Sequence, residues 1–262
     1  MRLAIFTLCS TVVSLVTTSP AHADEPDAPA AFAFMDNTGD GSKFDAEIAV
    51  VKLRGTDGKL VLPRALGQYV SPSGLGGYMT SVAGFLTGNS GNANGGLGNF
   101  ELGGLYRRAL TPHFDLGLRV GVVTPSGGND VTLIGLAAAR PTDLVLGARD
   151  STSLRFGISP TVHQGPFSMR VDFGVDEILD SPSNTHPLLH VNVGVGMGTQ
   201  QWSATAEYQR VFEIEDSEAL QNIGVSVRYH GAVSPYLSVS TPLEDELRGD
   251  AIAVALGITL TP

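Results

Sequence analysis

Between Asp36 and Glu47 the sequence reads DNTGDGSKFDAE. As a twelve-residue calcium loop, it puts oxygen donors Asp36, Thr38, Asp40, Ser42 and Glu47 at positions 1, 3, 5, 7 and 12, and Gly41 at the sharp bend at position 6. A hard cation takes oxygen ligands, so calcium is the one cofactor this spacing suggests. Thr38 stands where Asp or Asn is usual, Lys43 takes a normally apolar position, and a strand pattern follows Glu47 where an EF-hand needs a helix. A turn leading into the first strand is the competing reading. His186 and His190 have the i,i+4 spacing of a helical metal pair, but Pro187 and the alternating pattern put them on an extended chain. There they lie about 13 Å apart at ~3.3 Å per residue, too far to share an ion. For nucleophilic catalysis the obvious trio is Ser159, His163 and Asp172; no G-x-S-x-G elbow occurs, and the expectation is a protein that is not an enzyme.

The remaining chemistry-bearing residues are spread along segments that alternate with period two. In FSMRVDFGVD, Phe167, Met169, Val171, Phe173 and Val175 share one face, and Arg170, Asp172 and Asp176 the other. LHVNVGVGMG repeats this with Leu189, Val191, Val193, Val195 and Met197 against His190 and Asn192. Such alternation means strands with one apolar and one polar face, and no stretch apart from part of Thr132–Leu146 carries a helical stripe. Central strands of a parallel sheet would be apolar on both faces, which excludes that class.

Threading gives strands at 44–54, 60–70, 77–88, 98–109, 114–124, 152–163, 167–176, 188–199, 202–213, 221–230, 234–241 and 250–260. Most are near the ~9–11 residues that cross a bilayer when tilted. Short turns and long polar loops alternate between them, as in an outer-membrane barrel with its turns in the periplasm. The expected fold is therefore all-β: an antiparallel transmembrane β-barrel of about 12 strands. Tyr106, Phe114, Phe167, Trp202, Tyr229 and Tyr236 all lie beside the short turns, where an aromatic girdle at the periplasmic interface belongs.

Composition agrees with this class. The net charge of −10 argues against a nucleic-acid partner, and only 16% of residues are charged, low for a soluble acidic surface. Arg2, the apolar stretch Leu3–Val16 and Ala21-His22-Ala23 form a secretory signal peptide (1–23) with an A-x-A cleavage site. Cys9 lies inside it, so the mature chain has neither disulfides nor thiolate metal sites. A polar segment (24–42) precedes the barrel (43–262), which places the protein in the cell outer membrane. Its partners are then outer-membrane lipid, lipopolysaccharide and small-molecule solutes.

GGLGNFELGGLYRRAL followed by FDLGLRVGVVTPSG resembles the outer-membrane barrels of the MetA pathway of phenol degradation. That family's phrase is a GxGD-x-x-LG-x-x-Y-R strand, then a strand ending in PtG. Gly96, Gly98, Leu102, Gly103, Tyr106, Arg107, Pro125 and Gly127 stand at those positions, while Asn99 departs from the usual Asp. The chain ends Leu260-Thr261-Pro262, without the terminal aromatic common to such barrels. The resemblance implies a channel or transporter for passive passage of small molecules, apolar or aromatic ones among the candidates.

With apolar faces toward lipid, the polar faces must line the lumen. This assigns Glu101, Arg107, Asp115, Arg119, Arg155, Arg170, Asp172, His190, Asn192, Glu207, Gln209, Arg228 and His230 to the interior. Expected pairs are Glu101 with Arg119, Arg155 with Arg170 and Asp172, and Glu207 with Arg228. Such a lumen is either a hydrogen-bonded filling or a passage; space left by Gly174, Gly194, Gly196, Gly198 and Gly224 favours a passage. Alternatives are a plugged structural or adhesion-type barrel, a barrel hydrolase and a secreted soluble β-sandwich. The apolar run Val131–Ala139 lies in the long 126–151 loop, where a plug, a lid or an extra strand would each account for it.

Overall fold

A computed structural model describes residues 32–34, 41–53, 58–88, 94–179, 187–213, 219–244 and 251–262. The signal peptide, Asp36, Thr38, Asp40, His186 and the acidic loop tips at Glu215, Asp216, Glu218, Asp245, Glu246 and Asp250 lie outside the described residues. Twelve strands form one closed antiparallel barrel: β1 Lys43–Leu53, β2 Lys59–Val70, β3 Leu75–Thr87, β4 Asn94–Thr111, β5 Phe114–Thr124, β6 Ser153–Gln164, β7 Phe167–Ile178, β8 Leu188–Gly198, β9 Trp202–Glu213, β10 Ala219–Tyr229, β11 Val233–Pro242 and β12 Ala251–Leu260. Each strand pairs with its neighbours in sequence, and β1 closes on β12 from Phe44↔Leu260 to Leu53↔Ala251.

Its faces are inverted relative to a soluble protein. Phe156, Ile158, Phe173, Met169, Val195 and Val225 are exposed, while Arg155, Asp172, His190, Asn192 and Glu207 are buried. An outward apolar band on a closed barrel with a polar interior has its counterpart solvent in the bilayer, and the protein is an outer-membrane barrel. At the short-turn end Phe167 and Trp202 stand outward, and Trp202 packs edge-on against Tyr229 at 5.0 Å between centroids. Tyr236 corrects the girdle assignment. It faces inward, 5% exposed, because the period of β11 puts Ser234, Tyr236, Ser238 and Ser240 on the lumenal face.

The connection between β5 and β6 turns into the barrel. It contains helix α1, Asp130–Ala139, and a 3₁₀ turn, Pro141–Leu146. Asn129 caps α1 by accepting the Thr132 N–H at 2.9 Å, Asp130 complements the dipole at the first turn, and Pro141 stops the helix after Arg140. The helix packs on the wall through Thr132, Gly135, Leu136, Ala138 and Ala139 and leaves Ile134 exposed, although Val131–Ala139 is apolar on nearly every side. Ala138 and Ala139 pack on Ala49 and Val51 of β1, Leu60 and Leu62 of β2, and Ala251, Ala253 and Ala255 of β12. Leu136, Val145 and Leu146 pack on Val82 and Val123. A bulge lies between Ser81 and Ala83, and Val82 there packs against this plug. Close approach is built into the contact: a Cβ on Gly84 would lie 2.6 Å from the Thr132 Cα, and one on Gly135 2.7 Å from Leu62.

Candidate functional site: the plugged lumen

Among the described residues, three of the interior's polar clusters stand out, two of them tying the plug to the wall. The first centres on Arg155, whose guanidinium is fully buried. It donates to Asp176 at 2.9 Å, Glu101 at 2.7 Å and the Thr142 carbonyl at 2.5 Å, and lies 3.5 Å from Asp143. Glu101 also accepts the Tyr78 hydroxyl at 2.5 Å and lies 4.0 Å from Arg119. His190 contacts Asp176 at 3.3 Å. Thr142 and Asp143 belong to the plug, so β4, β6 and β7 grip it through one guanidinium.

The second cluster joins α1 to β1 and to the N-terminal segment. Arg140 forks onto Glu47 at 3.0 and 2.8 Å and donates to the Ala33 carbonyl at 2.6 Å; Tyr236 donates to Glu47 at 2.6 Å. Glu207 accepts the Ala33 and Phe34 N–H groups at 2.7 and 2.9 Å and the Thr205 hydroxyl at 2.9 Å. Gln209 donates to the Phe34 carbonyl at 2.7 Å, and Asn222 to the Ala138 carbonyl at 2.9 Å.

The third cluster lies toward the short-turn mouth. Arg107 and His163 share Asp115 at 2.9 and 3.3 Å, His163 meets Ser168 at 3.1 Å, and Arg170 chelates Asp172 at 2.7 and 3.2 Å. Arg107 is 30% exposed on its side chain and Asp115 13%, marking the wetter end.

The residues assigned to the lumen by alternation are buried, apart from half-buried Arg107, Asp115, Arg119 and His230. Several pairings differ from expectation. Glu207 holds backbone N–H groups and not Arg228; Arg228 instead bonds Thr259, which bonds Asp45, and lies 4.4 Å over the Tyr236 ring. The trio of Ser159, His163 and Asp172 is not assembled, because His163 turns to Ser168 and Asp115 while Ser159 is contacted by Arg170 at 3.4 Å. Nor do the glycines leave a passage at Gly174 and Gly224. The His190 ring fills the first notch, and the Phe34 ring the second. Of the proposed calcium donors, Ser42 hydrogen-bonds the Val70 backbone and Glu47 is committed to Arg140 and Tyr236. Among the described residues no group of three or more His, Cys, Asp or Glu side chains could hold a metal ion.

Sequence reasoning named Glu47 only as a calcium donor, not as a lumenal residue, and missed Arg64, Tyr78, Arg140 and Asp143. Glu47 was legible as an inward position of β1, two residues from Asp45 and Ala49; Arg140 and Asp143 were not, because a loop pattern does not say that the loop turns inward.

Asn99 explains its own departure from the aspartate of the resembling family. Its amide nitrogen donates to the Val145 and Ala148 carbonyls at 3.1 and 2.7 Å, and its oxygen accepts the Gly127 N–H at 3.1 Å. A carboxylate there would face two carbonyl oxygens with no proton. Asn99→Asp is therefore expected to cost about 3 kcal/mol, read as a lowered urea midpoint of the folded, heat-modifiable band, with partial recovery when acid protonates the new carboxyl.

Asp143 gives the plug a second acid-sensitive hold. Burial disfavours its charge, but Arg64 at 3.7 Å, Arg155 and, farther off, Arg140 and Arg119 outweigh that penalty and hold its carboxyl below the usual 3.8. A lowered pKa in the seated plug means the stabilisation is complete above 3.8 and is lost as pH falls through the lower value. Plug release, measured as open probability in planar bilayers, is expected to be flat from about pH 7 to pH 5 and to rise only below the ordinary carboxylate range. Asp143→Asn is expected to shrink that acid step, the Glu47–Arg140 fork carrying the rest.

No family model matches the chain, and no curated protein matches it. Among solved structures it is similar to the COG4313 outer membrane channel from Pseudomonas putida F1, at 10% identity over 91% of this chain and 99% of that one, with a TM-score of 0.64. It is also similar to the KdgM porin (8% identity, 83% and 99% covered, TM-score 0.55) and the NanC porin (7%, 83% and 100%, 0.54). At these identities the likeness is one of fold: the same closed barrel that outer-membrane channels use.

Proposed function

We propose that this outer-membrane barrel is a channel for passive passage of small molecules, closed at rest by its inward-folded β5–β6 segment and by Phe32–Phe34. The observation that carries this reading is the polarity of the lumen below the plug. Both amide atoms of Asn192, the Thr161 hydroxyl and the Ser203 hydroxyl are buried without a protein partner among the described residues, beside the Arg170–Asp172 pair. Buried polar groups demand hydrogen bonds, which water or a solute would supply here. Fold likeness to channels supports the same reading, and the resemblance of the Gly96–Gly127 stretch to the MetA-pathway barrels extends it to apolar or aromatic cargo.

The rival, a plugged structural barrel, draws on the apolar packing of Ala138, Leu136, Val145 and Leu146 against the wall. Planar-bilayer recording separates the two. A channel gives brief openings of the wild-type chain with the same unit step as the steady current of a plug-excised variant. A wild-type chain that is folded, heat-modifiable and silent supports the structural barrel and overturns the channel.

A further inference from the structure

The way the barrel holds Phe32–Phe34 is more selective than filling a void requires. Glu207 accepts two consecutive backbone N–H groups, of Ala33 and Phe34, through its two carboxylate oxygens. Arg140 donates to the Ala33 carbonyl and Gln209 to the Phe34 carbonyl. Every backbone polar group of the Ala33-Phe34 unit is thus matched by a side chain of opposite hydrogen-bonding sense, from β9 and from the end of α1. The Phe34 ring enters a notch that exists because residue 224 has no side chain: a Cβ there would lie 2.5 Å from the ring. Tyr236 packs with it, and the Arg140 guanidinium lies over its face at 5.5 Å. Beside the segment, a cavity of about 10 Å³ is lined by Phe34, Glu47, Arg140, Ser238 and Ser240 among others.

None of these contacts depends on Phe34 being part of this chain. They read a bent peptide unit, N–H, C=O and aromatic ring together, in a lumen whose short-turn end is the wetter one. The geometry points to a binding site for short peptides carrying an aromatic residue, occupied here by the chain's own Ala33-Phe34 as a tethered competitor. The inference rests on the channel reading for how a peptide would arrive, but binding is measurable without it. A tethered occupant competes at an effective concentration of order millimolar, so free peptide binds the wild-type chain weakly and removal of the ring exposes the site.

The test uses full-length protein folded in detergent and fluorine NMR of acetyl-Ala-(4-fluoro)Phe-N-methylamide. Phe34→Ala is expected to bind this peptide at least about tenfold more tightly than wild type. Adding Glu207→Gln, or Gly224→Ala to close the notch, is expected to lower that affinity by about tenfold. 4-Fluorotoluene and acetyl-Ala-Ala-N-methylamide are expected to bind far more weakly. Equal affinity of wild type and Phe34→Ala, or 4-fluorotoluene binding as well as the peptide, overturns the inference. Should Phe34→Ala fail to fold, Phe34→Leu keeps the volume and still gives tighter peptide binding than wild type if the proposal holds; unchanged binding sinks it. A plug-excised variant that conducts while no Phe34 variant binds peptide removes this inference and leaves the channel standing.

Discussion

Excising residues 129–147 and joining Gly128 to Ala148 is expected to turn a mostly closed barrel into one that conducts steadily. The cut is favoured by geometry: the Asn129 N–H donates to the Gly147 carbonyl at 3.2 Å, and a Cβ on Gly128 would lie 2.3 Å from the Ala148 carbonyl oxygen, so the two stumps already touch. Eight-stranded barrels are filled by wall side chains, whereas barrels of ~16–18 strands leave an aqueous channel; twelve strands leave a lumen that needs a filler to be closed. The excision removes α1 and both of its latches. A single buried guanidinium–carboxylate fork contributing even ~1.4 kcal/mol to closure would shift the open fraction tenfold. Loss of the whole plug is expected to raise open probability by more than that. Single-channel recording checks it, with the heat-modifiable band confirming a folded barrel.

The second large effect is on stability. Arg155→Ala leaves Glu101, Asp143 and Asp176 buried with their shared cation gone, and the expected loss is about 3–5 kcal/mol in urea unfolding of the reconstituted protein. Lysine restores charge but not the planar fork that reaches Asp176, Glu101 and the Thr142 carbonyl at once, so Arg155→Lys is expected to recover only part. The control is Arg149→Ala. That arginine also pairs with an aspartate at 2.9 Å, but the two side chains are 60% and 69% exposed, and water screens them. Its loss is expected to change stability by less than about 1 kcal/mol.

The barrel wall was readable because a strand states its two environments residue by residue. Phe167, Met169 and Phe173 against Ser168, Arg170 and Asp172 is a local record of lipid and lumen, and strand ends followed to within a few residues. What fills the lumen is not a local property. Glu47 and Arg140 meet inside the barrel although 93 positions apart in the sequence, and nothing near either announces the other. Tyr236 lies near a turn, but the phase of its own strand puts it beside Ser234 and Ser238 on the inward face. Glu207 was given a cationic partner because charge was the visible feature; two backbone N–H groups of the N-terminal segment satisfy it instead. Gly224 was read as empty space because a missing side chain does not reveal which ring occupies it.

The seat of α1 has a consequence for biogenesis. Ala138 and Ala139 rest on Ala49 and Val51 from the first strand and on Ala251, Ala253 and Ala255 from the last, so the helix straddles the junction where the cylinder zips shut. That surface does not exist until both termini of the sheet have met. The plug can therefore seat only after the barrel's own circumference is finished, and an insertion intermediate with an unzipped junction has no seat for it.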